Sequence, residues 1–211
     1  MDTLRKAASL VAVREGSGGG PEILVLERGG GSRFLPGYVA FPGGAVDEED
    51  EALAVRWFGD ANEAARAAAI RELVEEAGLG ITAGGMIEVA SIDPLHATPP
   101  HVDQLTQIAH WIAPDEVPVR FDARFFASAA PQGLTPEADG GETAAAWWVS
   151  PTVLIAEWEA GARKLYWPTY FTMTKLAECR TAAELLTLRF ETREPTDDEE
   201  AELPRSVFYQ D

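Results

Sequence analysis

Residues 71–79 have the sequence Arg71-Glu72-Leu73-Val74-Glu75-Glu76-Ala77-Gly78-Leu79. At about 100° per residue, Glu72, Glu75 and Glu76 project from one face of a helix, opposite an apolar stripe. Like charges at this spacing repel, and the helix dipole disfavours negative charge in the last turn. A hard cation such as Mg²⁺ or Mn²⁺ removes that conflict, because it binds carboxylate oxygens and leaves positions open for phosphate oxygens. Taken alone, the pattern is more typical of a solvated acidic face.

The helix that carries these glutamates is predicted over about residues 61–77. Asp60 and Glu63 have the spacing of a capping box, and a run of alanines follows them. Gly78 stands where a left-handed C-terminal cap belongs. Upstream lies Phe41-Pro42-Gly43-Gly44, where a backbone fixed by proline and freed by glycine is expected to bring a carbonyl oxygen near the carboxylates.

Together these residues resemble the Nudix box of the Nudix hydrolase superfamily, G-x5-E-x7-R-E-U-x-E-E-x-G-U, where U is aliphatic. Every fixed position from Glu63 to Leu79 matches. The departure lies between Gly44 and Glu63, where the 18 residues 45–62 replace the five of the pattern. This insertion is expected to form an extra loop or a short helix over residues 50–58 that leaves the catalytic helix intact.

The resemblance implies hydrolysis of a nucleoside diphosphate linked to another group, with water as nucleophile and Mg²⁺ or Mn²⁺ as cofactor. The matching metal ligands are Glu72, Glu75 and Glu76, and a backbone oxygen of Gly43 or Gly44 joins them. Arg71 is expected to orient one of these carboxylates, and Glu63 to brace the helix start or Arg71 rather than touch the metal.

The general base varies among these enzymes, and the candidate here is Glu142, which directly precedes a predicted strand. An ordinary turn carboxylate is the competing interpretation of Glu142. Glu75 is the second candidate for the base.

The stretch before the box resembles the coenzyme A signature of a Nudix subfamily, L-L-T-x-R-[SA]-x3-R-x3-G-x3-F-P-G-G. Arg28, Arg33 and Gly37 fall at the required intervals, whereas Leu26 and Gly29 replace the threonine and the serine or alanine. Guanidinium groups beside the metal helix suit phosphate recognition, although Arg28 and Arg33 have an alternative partner in the acidic insertion.

The resemblance therefore favours coenzyme A or acyl-coenzyme A as substrate, cleaved to phosphopantetheine and adenosine 3′,5′-bisphosphate. The larger coenzyme A diphosphatase-like branch also carries an insertion in its box. Two alternatives stay open. The first is the same chemistry on ADP-ribose, a dinucleotide or a damaged nucleotide, and the second is a Nudix-fold sensor that binds a nucleotide without turnover.

The order of predicted elements indicates an α/β fold, and the resemblance implies a Nudix-type α/β/α sandwich around a mixed sheet, with further helices near the C-terminus. Strands are predicted at residues 7–14 and 22–28, which are expected to form a hairpin, and at 86–92, 105–112, 123–129 and 144–149. Helices are predicted at 152–160 and 168–187. The domain is expected to span residues 1–190. Residues 191–211, rich in carboxylates, are expected to form an acidic, flexible tail, with docking of its last residues, Val207-Phe208-Tyr209, on the body or a partner left open.

Composition limits the classes of partner. The formal net charge of −18 argues against nucleic-acid binding, which needs a basic surface. No apolar run is long enough to cross a bilayer, and the single cysteine, Cys179, fits a reducing cytoplasm. The expected partner is a small nucleotide diphosphate, with a second copy of the chain left open. His96 and His101 lack a third ligand at zinc spacing.

Overall fold

The computed structural model describes residues 4–32, 35–113 and 120–208. Strands β1 to β10 are, in chain order, Arg5–Glu15, Pro21–Arg28, Tyr38–Ala40, Gly43–Ala45, Leu79–Thr82, Gly85–Glu88, Thr106–Ile112, Phe121–Ala129, Thr143–Val149 and Lys164–Leu165. Helices α1 to α7 are Glu48–Phe58, Ala64–Ala77, Asp93–Ala97, Pro151–Glu159, Trp167–Ala177, Ala182–Thr187 and Asp197–Glu202. None of the helices in the described ranges is long and apolar enough to cross a membrane.

A mixed sheet in the order β10-β3-β2-β1-β8-β7 organises the fold, with β4 also paired to β1 and β9 to β2. Strands β1 and β2 form the expected antiparallel hairpin, whereas β1 and β8 run parallel. A parallel pair needs a long crossover between its strands, and here the crossover contains α2, the helix predicted to carry the metal-binding glutamates. The prediction of a mixed α/β sheet is confirmed.

Both faces of the sheet are buried, because its central strands are continuously apolar and successive side chains point to opposite faces. Leu24 and Leu26 of β2 face a core shared with α1 and α2, whereas Ile23 and Val25 face a core shared with α4, α5 and α6. Such a continuous apolar strand is typical of a sheet covered on both sides. The helices therefore form two outer layers, in agreement with an α/β/α sandwich.

Helix α2 packs closely on the sheet through small side chains: Ala67, Ala68 and Ala69 are fully buried. Its C-terminal cap is Gly78, which adopts a φ of 63° as predicted. The predicted capping box at the other end does not form. The side chain of Asp60 accepts a hydrogen bond from the Asn62 amide at 2.9 Å and starts a short 3-10 turn instead.

Two local predictions need correction, and a third holds in one of its two alternatives. The strand expected over residues 86–92 ends at Glu88 and pairs with β5 in a separate two-stranded sheet. The helix expected over residues 168–187 is two helices, because Thr181 caps a new helix by accepting from the Glu184 amide. Glu63 lies at the start of α2 as expected, but its ion pair is with Arg66 and not with Arg71.

The C-terminal segment lies against the body instead of extending from it as a solvated tail. Val207 is fully buried among the α4–α6 core residues, and the ring of Phe208 lies 5.5 Å from that of Trp167. The Trp167 indole N–H also donates to the backbone oxygen of Arg193 at 3.1 Å. Residues 191–208 are therefore attached to the folded domain near both ends, and most of the side chains between stay exposed.

Candidate active site

Glu76 is the most enclosed of the three predicted metal ligands, with 8% of its surface exposed. One carboxyl oxygen accepts a hydrogen bond from the Gly43 amide at 2.9 Å. Burial raises the pKa of Glu76 to about 8, and although the Gly43 amide opposes this shift, the charge of Glu72 adds to it. A carboxyl group in this position is poorly solvated when it is ionised.

Glu72 lies beside Glu76 on the helix, and its carboxylate approaches the backbone of Gly44 closely. A Cβ atom on Gly44 would stand 2.2 Å from Oε1 of Glu72, so only glycine leaves room for this carboxylate. Burial also raises the pKa of Glu72, while its ion pair with Arg71 lowers it. The predicted approach of the Gly43-Gly44 backbone to the carboxylate helix is therefore seen, with an amide of Gly43 rather than a carbonyl oxygen in contact with Glu76.

Arg71 connects the catalytic helix to the insertion. Its Nη1 donates to Glu72 at 2.8 Å and to Glu75 at 3.0 Å. Its Nε and Nη2 donate to the two carboxyl oxygens of Asp50 at 2.9 and 3.1 Å. Burial lowers the pKa of Arg71, but the bonds to Asp50 and the charge of Glu72 outweigh this and raise it above its ordinary value.

Asp50 is the residue that the sequence analysis missed. It belongs to α1, the helix formed by the insertion, and its side chain is fully buried. The Asp47 amide donates to it at 2.9 Å, as in a capping box. The spacing Asp47-x-x-Asp50 was the available signal, since two such residues three apart mark a helix start.

Two other predicted site residues, Arg28 and Glu142, act electrostatically on Glu76. The charge of Arg28 lowers the pKa of Glu76 and that of Glu142 raises it. Arg28 donates to the hydroxyl of Ser32 through Nε and Nη2 at 3.0 and 2.7 Å. Arg33, the second predicted phosphate ligand, lies outside the described residues.

The segment between β8 and β9, which contains Glu142, crosses the C-terminal end of α2. The Glu137 amide donates to the backbone oxygen of Ala77 at 2.9 Å and so satisfies a carbonyl of the last turn. Asp139 then accepts from the amides of Glu142 at 3.2 Å and Thr143 at 2.7 Å. These bonds fix the turn that presents Glu142, which the sequence analysis placed only next to a strand.

The three glutamates do not converge on one point in the described structure. Glu72 and Glu75 are held by Arg71, and Glu76 by the Gly43 amide. Their chemistry nevertheless fits a hard divalent cation, because all the donors are carboxylate oxygens and the buried Glu76 is followed round the helix face by the half-buried Glu72. A cation there compensates the unfavourable ionisation of Glu76.

Comparison with known proteins identifies the family of the chain. A C. elegans protein described as "Putative nudix hydrolase 7" is 25% identical over 192 residues, which cover 83% of this chain. The aligned region spans only 61% of that relative. A solved NUDIX hydrolase from Alicyclobacillus acidocaldarius is 28% identical, with a TM-score of 0.72 over 90% of this chain and 98% of the other.

A further similar structure, a C. elegans Ap4A hydrolase in a binary complex, is 19% identical. Its TM-score is 0.50, with 83% of this chain and 96% of the other covered, which shows a shared fold. The NUDIX domain family matches residues 3–167, a range that contains the sheet, the insertion and every predicted site residue. The chain therefore belongs to the NUDIX family.

Proposed function

We propose that this chain hydrolyses a diphosphate linkage in a nucleoside-diphosphate derivative with Mg²⁺ or Mn²⁺ as cofactor. The observation that carries the proposal is the buried Glu76 carboxyl group, which lies beside Glu72 and against the Gly43 amide. A buried pair of carboxyl groups is costly unless a cation or a proton compensates it. Membership of the NUDIX family agrees with a cation in this role.

Glu72, Glu75 and Glu76 would hold the metal, and a bound divalent cation supplies charge stabilisation for the diphosphate and the leaving group. Glu142, whose charge acts on Glu76, is the candidate to take the proton of the attacking water, with Glu75 as the second candidate. Water then adds across one P–O–P bond, and two phosphate ends are released. The charge of Arg28 also acts on Glu76, and its guanidinium suits phosphate oxygens.

We propose coenzyme A or acyl-coenzyme A as the substrate, cleaved to phosphopantetheine and adenosine 3′,5′-bisphosphate. The support is the resemblance of residues 24–44 to the coenzyme A signature, in which Arg28 and Arg33 occupy the two arginine positions. The insertion in the box is a second resemblance to the coenzyme A diphosphatase-like branch. ADP-ribose, dinucleotides and damaged nucleotides are the competing substrates for the same chemistry.

A product-resolved screen tests the proposal. Purified protein with Mg²⁺ or Mn²⁺ is offered coenzyme A, acyl-coenzyme A, ADP-ribose, NADH, a diadenosine polyphosphate and nucleoside triphosphates. We expect the highest kcat/KM on coenzyme A or its thioesters, and loss of about 100-fold or more in Glu76→Gln, because one metal-binding carboxylate is removed. The exposed Glu159→Gln on α4 is the matched control and is expected to retain activity.

Two results would contradict the proposal at different levels. A higher kcat/KM on ADP-ribose or a dinucleotide would exclude coenzyme A as the preferred substrate and leave the chemistry intact. Equal inactivity of the wild-type chain and of Glu76→Gln on every diphosphate would instead favour a nucleotide sensor without turnover.

A further inference from the structure

A fully buried carboxylate is the least expected feature of the insertion. Asp50 has no exposed surface, although it lies on a helix whose first turn is otherwise acidic and solvated. Removing a charge from water costs several kcal/mol unless a partner compensates it. Arg71 is that partner, through two parallel bonds of 2.9 and 3.1 Å.

The guanidinium of Arg71 is divided between two parts of the chain. It has five N–H groups, and each has an acceptor. Three point to the insertion, two of them to Asp50 and one to the backbone oxygen of Ala45 at 3.1 Å. The other two point to Glu72 and Glu75 on the catalytic helix. Asp50 therefore binds the Nε and Nη2 side of the guanidinium, and Nη1 is the nitrogen that donates to Glu72 and Glu75.

The helix that carries Asp50 is itself well anchored. Ala54 and Trp57 of α1 are buried in the core shared with α2. The Trp57 indole N–H donates to Nδ1 of His96 at 3.1 Å, which ties the far end of α1 to α3. A carboxylate on so fixed a helix is suited to hold the guanidinium in one orientation.

We propose that Asp50 is a positioning residue, and that the insertion acts on the metal site through it. Asp50 fixes and neutralises Arg71, so that Arg71 orients Glu72 and Glu75 with single hydrogen bonds and does not capture either of them as a full ion pair. Without Asp50, Nε and Nη2 of Arg71 donate to Glu72 and Glu75 instead. They then compete with the cation for the oxygens of these carboxylates. This inference rests on the proposed metal-binding role of the glutamates.

The test compares Asp50→Asn, which keeps the shape of the side chain and removes its charge, with Glu51→Gln, an exposed neighbour on the same helix. Mn²⁺ affinity is measured by electron paramagnetic resonance on substrate-free protein, and kcat and KM are measured separately. We expect Asp50→Asn to weaken Mn²⁺ binding by about 10- to 100-fold and to lower kcat more than it raises KM. Glu51→Gln is expected to leave both within about twofold of the wild type.

A double-mutant cycle separates positioning from general stabilisation. If Asp50 acts through Arg71, adding Asp50→Asn to Arg71→Gln should weaken Mn²⁺ binding much less than Asp50→Asn does alone. Additive losses would overturn the proposal. So would an Asp50→Asn variant that melts at a lower temperature yet binds Mn²⁺ with wild-type affinity.

A measurement on the wild-type chain covers the case in which Asp50→Asn does not fold. The Nε–H of Arg71 should exchange slowly with solvent in nuclear magnetic resonance spectra, because it is bonded to a buried carboxylate, and exchange as fast as that of an exposed arginine would overturn the proposal. Failure of the proposed hydrolysis and failure of the proposed role of Asp50 give different results. A chain that cleaves no diphosphate but shows the Asp50-dependent Mn²⁺ affinity would refute the activity and retain the positioning role.

Discussion

Glu76 differs from its neighbours because the folded chain removes it from water. Glu75, one residue earlier, keeps 55% of its side chain exposed, whereas Glu76 is buried against Gly43. With its pKa raised to about 8 by burial, the carboxyl group is mostly protonated at neutral pH in the absence of a cation. A divalent cation bound at this proposed site would therefore displace a proton from Glu76.

Metal binding should consequently depend on pH. Since the unbound carboxyl of Glu76 holds its proton below about pH 8, Mn²⁺ affinity should rise by about tenfold per pH unit between pH 6 and 7 and level off above pH 8. Isothermal titration calorimetry in buffers of different ionisation enthalpy measures both the affinity and the released proton. Glu76→Gln should bind more weakly and lose most of this dependence, and a flat profile in the wild type would show that Glu76 is already ionised.

For single residues, the sequence predicted which glutamates share one face of the helix, but it did not predict how strongly each of them is buried. A spacing of three and four residues places Glu72, Glu75 and Glu76 on one face. Which of them is buried depends on where the Gly43-Gly44 backbone approaches the helix, and that contact joins residues 33 positions apart.

The segment of residues 130–142 is the element that brings the candidate base to the site. It crosses the C-terminal end of α2, where the Glu137 amide binds the oxygen of Ala77. Amide hydrogen bonds to Asp139 close the turn before β9. Slight burial raises the pKa of Asp139, but the amides of Thr143 and Glu142 outweigh this and lower it, which agrees with an ionised carboxylate holding the turn.

Loss of this carboxylate should loosen the turn and misplace Glu142. In Asp139→Ala, the amides of Gly141, Glu142 and Thr143 should exchange with solvent about 2- to 10-fold faster, because each loses its acceptor. Hydrogen-exchange mass spectrometry checks this, with peptides from β1 as the internal control. If Glu142 is the base, kcat should fall while KM changes little. Unchanged kcat with faster exchange would favour Glu75 as the base.

Elements were predictable where a local pattern was strong. The β1–β2 hairpin and α2 follow from alternating apolar residues and from the alanine run before Gly78. The pairing of β5 with β6 was missed because Leu79, the first residue of β5, is the last position of the box pattern, which gives no indication of a strand. The insertion helix was expected, but it begins two residues earlier than predicted because Asp47 stands at its N-terminus.

On the scale of the whole molecule, the C-terminal segment completes the core opposite the catalytic helix. Val207 is buried there, and the Tyr38 hydroxyl donates to the backbone oxygen of Ser206 at 3.0 Å. Tyr38 opens β3, the strand that leads to Gly43 and Gly44. The end of the chain thus packs on an element that also positions the site.

Truncating the buried side chain of Val207 should destabilise the domain. Val207→Ala removes buried methyl groups and should lower the free energy of unfolding by about 1.5 kcal/mol, or Tm by about 3 to 6 °C. Val153→Ala, on the exposed side of α4, is the matched control and should change Tm little. Thermal unfolding followed by circular dichroism measures both. Equal Tm values for the two variants would mean that the segment does not contribute to the folded core.

The sequence by itself determined the family, the catalytic helix and the carboxylates on its face, because these depend on spacing within a few turns of one element. Only the tertiary structure decided that Asp50, 21 positions before Arg71, holds its guanidinium, and that the acidic C-terminal segment supplies a core residue. Contacts of this kind form when the fold brings distant segments together and withdraws a side chain from water. Hydropathy and charge along the chain report composition, and they do not specify which distant partner a buried charge will meet.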